Sequence, residues 1–181
     1  MLREKVEQRW QEPDRLWEAS AKTREEAHLR VARDVAAQRF AFPTPEFSSL
    51  RTYLNEPEPT LVIRTPDGRE LAPDIVVAEW ARNIPKILAE VETLDTVTEE
   101  SAEAKWRPYS QVPDTTFYLY VPSGYGTRAR EILKRLKIKK VGLRTWRYVM
   151  GQEALDITEM DYGGLLELLL PPFLLNRHRP G

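Results

Sequence analysis

The spacing of apolar residues near the start of the chain predicts an amphipathic helix. Ala27, Val31 and Val35 recur at every fourth position, so they would lie along one face of a helix that ends before the next proline. Thr23 and Glu26 have the spacing of a capping box, in which each side chain accepts a hydrogen bond from the other residue's backbone N–H. The sequence therefore places a helix N-terminus at this point.

Beyond this helix the apolar residues cluster in short β-branched runs, which are typical of strands. The predicted strands are Leu61–Ile63, Glu70–Ala78, Lys86–Thr93, Thr116–Val121 and Lys140–Val149. After the third strand, Thr96 and Glu99 form a second capping box and open a helix that Pro108 stops. Another helix begins at about Thr127, and the proline-rich stretch before the first strand predicts an irregular connection with a turn of helix at Ser48–Leu54.

These elements predict an α/β fold with a mixed central sheet of about five strands flanked by helices. Their order is helix, three strands, helix, strand, helix and strand. The length of 181 residues suits a single domain with its own hydrophobic core. We divide it into an N-terminal helical extension (residues 1–22), the core (residues 23–149) and an apolar C-terminal extension (residues 150–181).

Composition narrows the classes of function. Hydrophobic residues make up 41% and charged residues 30% of the chain, which is typical of a globular protein. The absence of cysteine excludes disulfides, a thiolate metal site and a cysteine nucleophile. The apolar run Leu165–Leu175 is too short to span a bilayer. We therefore expect a cytoplasmic protein with no membrane partner, in which this run forms a docked helix or a homodimer contact.

Acidic residues lie at two particular points of the predicted strands. Pro73 and Asp74 open the central part of the second strand, and Glu90, Val91 and Glu92 lie at the end of the third. This placement, together with the order of elements, resembles the PD-(D/E)XK nuclease superfamily, which has a restriction-endonuclease-like core. The resemblance implies a divalent ion, Mg²⁺ or Mn²⁺, bound by Asp74 and Glu90 and often by the backbone carbonyl of the residue that follows. It also implies a catalytic site for phosphodiester hydrolysis.

The sequence departs from the family's motif at one position. Glu92 occupies the place of the family's lysine, and the resemblance implies that it binds metal or orients a water molecule. Some members carry the basic group on the following helix, and Lys105 is the candidate here. Lys105 and Tyr109 also have the spacing of the QxxxY element of recombination-type nucleases, with lysine in place of glutamine.

Each acidic residue also has a simpler interpretation. Asp74 after a proline suits a turn, Glu90 and Glu92 suit the exposed face of an edge strand, and Lys105 suits an exposed helix. Two like charges on one strand face repel, however, and a bound cation would relieve that repulsion. Glu26 is explained by its capping role. His28 and the chain's other histidine, His178, have no partner at metal-ligand spacing, so we interpret both as structural.

A basic segment follows the fourth predicted strand, although the formal net charge of the chain is −1. Glu131 is the only acid from residue 128 to residue 147. We expect this segment to contact the phosphates of nucleic acid, with DNA favoured over RNA. The predicted contact residues are Arg128, Arg130, Lys134, Lys137, Lys139, Lys140 and Arg144.

Three functions follow from these patterns. The first is a metal-dependent nuclease with catalytic residues Asp74, Glu90, Glu92 and Lys105, in which the three acids are the metal ligands. The second is a catalytically inactive relative that keeps the fold as a nucleic-acid-binding or protein-interaction module, because the strand lysine is missing. The third is a protein-interaction domain that uses the apolar run Leu165–Leu175.

Overall fold

The computed structural model describes residues 24–149 and 154–161. Its strands are β1 (Leu50–Leu54), β2 (Ile63–Arg64), β3 (Glu70–Leu71), β4 (Ile75–Glu79), β5 (Ile84–Val91), β6 (Thr116–Pro122), β7 (Val141–Tyr148) and β8 (Leu155–Glu159). Its helices are α1 (Arg24–Arg39), α2 (Glu99–Ser101), a π-helical segment (Ala102–Trp106), α3 (Arg107–Ser110) and α4 (Gly126–Arg135). The presence of both strands and helices confirms the expected α/β class.

Six of the strands form one mixed sheet in the order β1–β4–β5–β6–β7–β8, and β2 and β3 form a separate hairpin. β4 is antiparallel to both β1 and β5, while β5, β6 and β7 run parallel to one another and β8 is antiparallel to β7. Parallel neighbours need a crossover connection, which α2–α3 and α4 supply. The fully buried residues of β6 suit a central strand with helices over the sheet.

The two faces of the sheet are covered by different helices. On one face, Val31 and Val35 of α1 pack with Ile87 and Val91 of β5. On the other, Leu88 belongs to the core formed with Trp106 and α4. Because side chains alternate along a strand, Glu90 and Glu92 lie on the face of Leu88, as the sequence predicts. The carboxylates thus point toward the helix that follows their strand.

The first strand of the sheet differs from the expected one. Leu61–Ile63 contributes only Ile63 to the small hairpin, whereas Leu50–Leu54, for which we predicted a turn of helix, forms β1. All five residues of β1 are half-buried, because it is the edge strand of the sheet. An edge strand of this kind lacks the alternation of buried and exposed positions by which a strand is recognised in sequence.

The helix after β5 also departs from its prediction. Its N-cap is Thr98, whose side chain accepts a hydrogen bond from the Ser101 N–H, rather than Thr96. Pro108 does not stop the helix, which continues to Ser110. A proline is tolerated in the first turn of a helix, where the missing N–H has no intrahelical partner, and α3 restarts just before it.

The sheet has one strand more than expected. β8 falls in the segment that we predicted as an apolar extension, so the core reaches beyond residue 149. The predictions for residues 1–22, for Thr23 and for the homodimer contact at 165–175 lie outside the described residues. Within the described ranges, no helix is long and apolar enough to cross a bilayer.

Candidate metal centre

Asp74 and Glu90 meet where β4 begins and β5 ends. Asp74 Oδ2 accepts a hydrogen bond of 2.7 Å from the Val91 N–H, and the Asp74 N–H donates to Glu90 Oε2 at 3.2 Å. Both side chains are buried, with relative exposures of 3% and 1%. Two carboxylates that the sequence placed on separate strands are therefore held together by backbone groups of those strands.

The imidazole of His28 reaches this point from α1. Its Nε2 atom lies 3.1 Å from Asp74 Oδ2 and 2.9 Å from the Val91 carbonyl oxygen. The carbonyl belongs to the residue between Glu90 and Glu92, which the family resemblance implies as a metal ligand. His28, which we interpreted as structural, was not predicted here because its contact with Asp74 spans 46 positions and leaves no local motif.

Lys105 comes to Glu90 from the π-helical segment. Its Nζ lies 2.7 Å from Glu90 Oε1, and the two groups form an ion pair. The lysine side chain is 46% exposed while the glutamate is buried, so the lysine connects the buried carboxylate to the surface. A basic group beside the acids, expected on the following helix, is therefore present.

Glu92 is buried beside Trp106. Its Oε1 accepts a hydrogen bond of 2.6 Å from the indole N–H of Trp106, and its backbone carbonyl accepts one of 3.1 Å from the indole of Trp146. Glu92 thus has a different set of hydrogen-bond partners from Asp74 and Glu90. The two tryptophans fix its position from both sides of the strand.

Glu56 brings a further carboxylate to the site. One of its oxygens, the His28 ring nitrogen and an Asp74 oxygen all lie within 4.8 Å of one another. Glu56 is half-buried and follows Asn55, whose backbone N–H donates to the Asp74 carbonyl at 2.9 Å. The backbone hydrogen bond between Asn55 and Asp74 thus keeps Glu56 close to Asp74, and nothing in the local sequence indicated this contact.

Burial and mutual repulsion govern the ionisation of the acids. Burial, together with the charge of Asp74, raises the pKa of Glu90 well above its usual range, and the Lys105 ammonium opposes that shift. Burial also raises the pKa of Glu92, against the hydrogen bonds from Thr96 and Trp106. Burial opposes the charge of Lys105, but Glu90 and Asp74 raise its pKa on balance. Lys105 therefore remains a cation at neutral pH.

Asn55 holds the segment that carries Asp74. Its side-chain amide donates to the carbonyls of Leu61 and Pro73 at 2.9 Å each, and its Oδ1 accepts 2.8 Å bonds from the N–H groups of Thr60 and Leu61. We expect Asn55→Ala to lower the free energy of unfolding by about 2–4 kcal/mol, because four hydrogen bonds are lost at a buried position.

Urea denaturation of Asn55→Ala measures this effect. The exposed amide Gln111 offers a control, since Gln111→Ala should change the free energy by no more than about 0.5 kcal/mol. Equal stability of the two variants would show that the Asn55 network does not hold the segment.

The charge of His28 should make the stability of the metal-free protein depend on pH. Burial opposes the imidazolium, but the hydrogen bond and charge of Asp74 raise the pKa of His28 to about 9. In the unfolded chain it is about 6.5. The stabilisation is therefore complete below about pH 6.5 and is lost as the pH rises through about 9, by at most about 3 kcal/mol.

Urea denaturation at pH 6, 7.5 and 9.5 in a chelator checks this expectation. His28→Gln should flatten the decline between about pH 6.5 and 9, since glutamine does not titrate. The same decline in both proteins would contradict it.

Most of the predicted contact residues of the basic segment are exposed, but one of them is buried. Arg128, Lys134, Lys137, Lys139 and Lys140 are exposed, and Arg130 is exposed but pairs with Asp161 at 2.7 Å. The predicted contact residue Arg144 is not on the surface. It is 3% exposed and its guanidinium donates to the Asp161 carbonyl at 2.7 Å, because the first half of β7 is covered on both faces of the sheet.

The topology distributes the exposed cations between two ends of the sheet. β5 and β6 are parallel, so α4 starts at the end of the sheet that carries the acids, and Arg128 lies in its first turn. Lys137, Lys139 and Lys140 precede β7 and lie at the opposite end, about 15 Å away along the helix. A groove of about 350 Å³ lies beside the start of α4 and is lined by Thr127 and Trp146, among others.

In comparisons with known proteins, the chain matches no family model, no curated protein and no solved structure.

Proposed function

We propose that this protein is a metal-dependent nuclease that hydrolyses phosphodiester bonds of nucleic acid. The observation that carries the proposal is the convergence of Asp74, Glu90 and the Val91 carbonyl at adjacent ends of two strands, through the hydrogen bonds that Asp74 makes with Glu90, Val91 and His28, with Lys105 paired to Glu90. Carboxylate and carbonyl oxygens are the donors that Mg²⁺ and Mn²⁺ prefer. Strands hold such donors more rigidly than loops do.

Each residue of the candidate site would have a separate role in hydrolysis. Asp74 and Glu90 would hold the ion, which when bound activates water and neutralises charge on the phosphate. The Lys105 ammonium stays charged and would stabilise negative charge on the same phosphate. Glu92, fixed by Trp106, would orient the attacking water or add a ligand.

The fold supports a restriction-endonuclease-like core. With β1 as the first strand, the elements of the main sheet follow the order helix, three strands, helix, strand, helix and strand. The resemblance in sequence rests on the same order. β8 extends this core by a sixth strand at the edge.

The substrate we propose is nucleic acid, with DNA favoured. Arg128 and the groove beside the start of α4 lie at the end of the sheet with the acids, and Trp146 lines the groove while its indole N–H donates to the Glu92 carbonyl. Arg128 and the groove would guide a strand of nucleic acid toward the candidate metal centre. Lys137, Lys139 and Lys140 would contact phosphates farther away.

Cleavage assays test the proposal. Labelled single-stranded, double-stranded and branched DNA, and RNA, are incubated with the protein in Mn²⁺, in Mg²⁺ and in EDTA. We expect a nucleic acid to be cut in the presence of a divalent ion, no cleavage in EDTA, and recovery when Mn²⁺ is added back. Intact substrates under all conditions would refute the nuclease assignment.

A catalytically inactive binding module is the second candidate. It is favoured by the closed hydrogen-bond network, in which His28 pairs with Asp74 and Lys105 with Glu90. Among the described residues, no buried side-chain nitrogen or oxygen lacks a hydrogen-bond partner. This function predicts nucleic-acid binding in EDTA, measured by fluorescence anisotropy, without saturable uptake of Mn²⁺. Saturable binding of Mn²⁺ would exclude a binding module that lacks a metal site.

A further inference from the structure

We propose that His28 and Glu56 complete the ligand set of the metal centre, so that it prefers a divalent cation that accepts a nitrogen ligand, such as Mn²⁺ or Zn²⁺, over Mg²⁺. The inference rests on the proposed metal centre, but it concerns the identity of the ion and does not depend on catalysis. Neither residue belongs to the acidic motif from which the sequence predicted the site.

The position of the His28 ring nitrogen fits a ligand. Nε2 lies 3.1 Å from Asp74 Oδ2 and 2.9 Å from the Val91 carbonyl oxygen. Donor atoms that each lie about 2.1–2.2 Å from one ion, and are adjacent in an octahedral arrangement, are about 3 Å apart. An ion could therefore bind the nitrogen and either oxygen with little movement of the side chains.

Glu56 adds an acidic donor from a different part of the chain. Its oxygen lies within 4.8 Å of both the His28 nitrogen and the Asp74 oxygen. Donors on opposite sides of such an ion are about 4.2–4.4 Å apart, so this spacing needs only a small adjustment. The neighbouring Asn55 ties this segment to the Asp74 carbonyl, which keeps the carboxylate near the other donors.

The burial of these groups suits an ion-binding pocket. The Asp74 side chain is 3% exposed, whereas that of His28 is 18% exposed and Glu56 is half-buried. A buried carboxylate thus lies beside two donors that are in contact with solvent, so a hydrated ion can approach from their side. The backbone position of His28 is fixed, because Ala27 and Val31 near it on α1 are buried in the core.

The chemistry of the donors determines which ion is preferred. Mg²⁺ binds carboxylate, carbonyl and water oxygens, and imidazole is a poor ligand for it. Mn²⁺ accepts mixed oxygen and nitrogen sites, and Zn²⁺ binds imidazole strongly. An imidazole within contact distance of two oxygen donors therefore shifts the selectivity of the site away from Mg²⁺. If His28 only forms a hydrogen bond with Asp74, its removal should not change this selectivity.

Calorimetric titration of the full chain with Mn²⁺, Zn²⁺ and Mg²⁺ tests the proposal. We expect Mn²⁺ to bind at least about tenfold more tightly than Mg²⁺, and His28→Gln to weaken Mn²⁺ by at least about tenfold while changing Mg²⁺ by less than about threefold. Glu56→Gln should weaken both ions. Glu58→Gln, at an exposed position two residues away, serves as the control and should change neither.

Pulsed electron paramagnetic resonance gives a readout that a structural role of His28 would not produce. Mn²⁺ bound to the wild-type protein should show coupling to an imidazole ¹⁴N nucleus, and His28→Gln should lose it. Mn²⁺ that binds without ¹⁴N coupling, and equally well in His28→Gln, would overturn this inference while leaving the proposed nuclease intact. A failure of all three ions to bind would overturn both.

Discussion

Replacement of Asp74 by asparagine, or of Glu90 by glutamine, is expected to lower divalent-ion-dependent cleavage by at least about 100-fold. Each substitution removes one negative charge from the candidate metal centre. Asparagine can still accept the hydrogen bond that Asp74 Oδ2 receives from Val91. The loss should therefore come from the ion and the chemistry it supplies, and the fold should persist. Steady-state cleavage rates at saturating Mn²⁺ measure the effect.

Two exposed acids provide matched controls. Asp67→Asn lies in the hairpin turn and Glu100→Gln in α2, and both should retain wild-type rates. Circular dichroism should give the same spectrum for all variants. Removing a buried carboxylate whose pKa is raised also relieves a desolvation cost, so Glu90→Gln should not unfold the protein. Wild-type rates in Asp74→Asn and Glu90→Gln would contradict the assignment of these residues.

Replacement of Trp106 by alanine should have the largest effect on stability. The side chain is fully buried in the core between the sheet and the helices α2–α4, and its indole N–H donates to Glu92 Oε1 at 2.6 Å. Truncating a buried aromatic residue costs about 3–5 kcal/mol, and the loss of one hydrogen bond to the buried carboxylate of Glu92 adds to that. We expect a decrease of at least about 4 kcal/mol in the free energy of unfolding, measured by urea denaturation.

Trp80 is the matched control for this prediction. It is 54% exposed in the turn between β4 and β5, and the Arg51 guanidinium lies 5.7 Å from the centre of its ring. Trp80→Ala should change the free energy of unfolding by about 0.5 kcal/mol or less. A similar small change in Trp106→Ala would mean that the helix after β5 does not form the core described here.

The central part of the fold could be predicted because its strands have strong local signals. Thr116–Val121 and Lys140–Val149 are rich in β-branched or aromatic residues and form β6 and β7. The start of α4 lies within one residue of its prediction at Thr127. The alternation of β5 correctly placed Glu90 and Glu92 on one face. These features depend on neighbouring residues, which a single sequence displays.

The elements that were missed depend on contacts between distant parts of the chain. Leu50–Leu54 becomes a strand because β4 offers it a partner, and its own half-buried residues show no period. The cap at Thr98 was assigned to Thr96 because both positions hold the same residue type. The helix passes Pro108 because α3 starts at Arg107 and holds the proline in its first turn, after a π-helical segment that no sequence pattern indicated.

In the candidate site, too, the residues with a local sequence signal were predicted and those that depend on distant contacts were not. Asp74 and Glu90 were predicted because Asp74 follows Pro73 in the second predicted strand and Glu90 lies at the end of the third, as in the motif that the sequence resembles. His28 and Glu56 were missed because α1 and the segment after β1 approach Asp74 only in the folded chain. Arg144 was predicted on the surface because of its charge, but residues 141–144 of β7 are all buried. The charge of a residue is visible in the sequence, whereas the packing of both faces of its strand depends on distant parts of the chain.

Anomalous diffraction from crystals soaked in Mn²⁺ tests the central claim most directly. An ion held by this site should give a peak within about 2.3 Å of an Asp74 carboxylate oxygen and of the Val91 carbonyl oxygen, with Glu90 close by. The Lys105–Glu90 contact should lengthen as Glu90 turns to the ion, while His28 Nε2 and Asp74 Oδ2 should stay about 3 Å apart as adjacent ligands. A map without a peak at this position, with the Lys105–Glu90 contact retained at 2.7 Å, would contradict the metal centre.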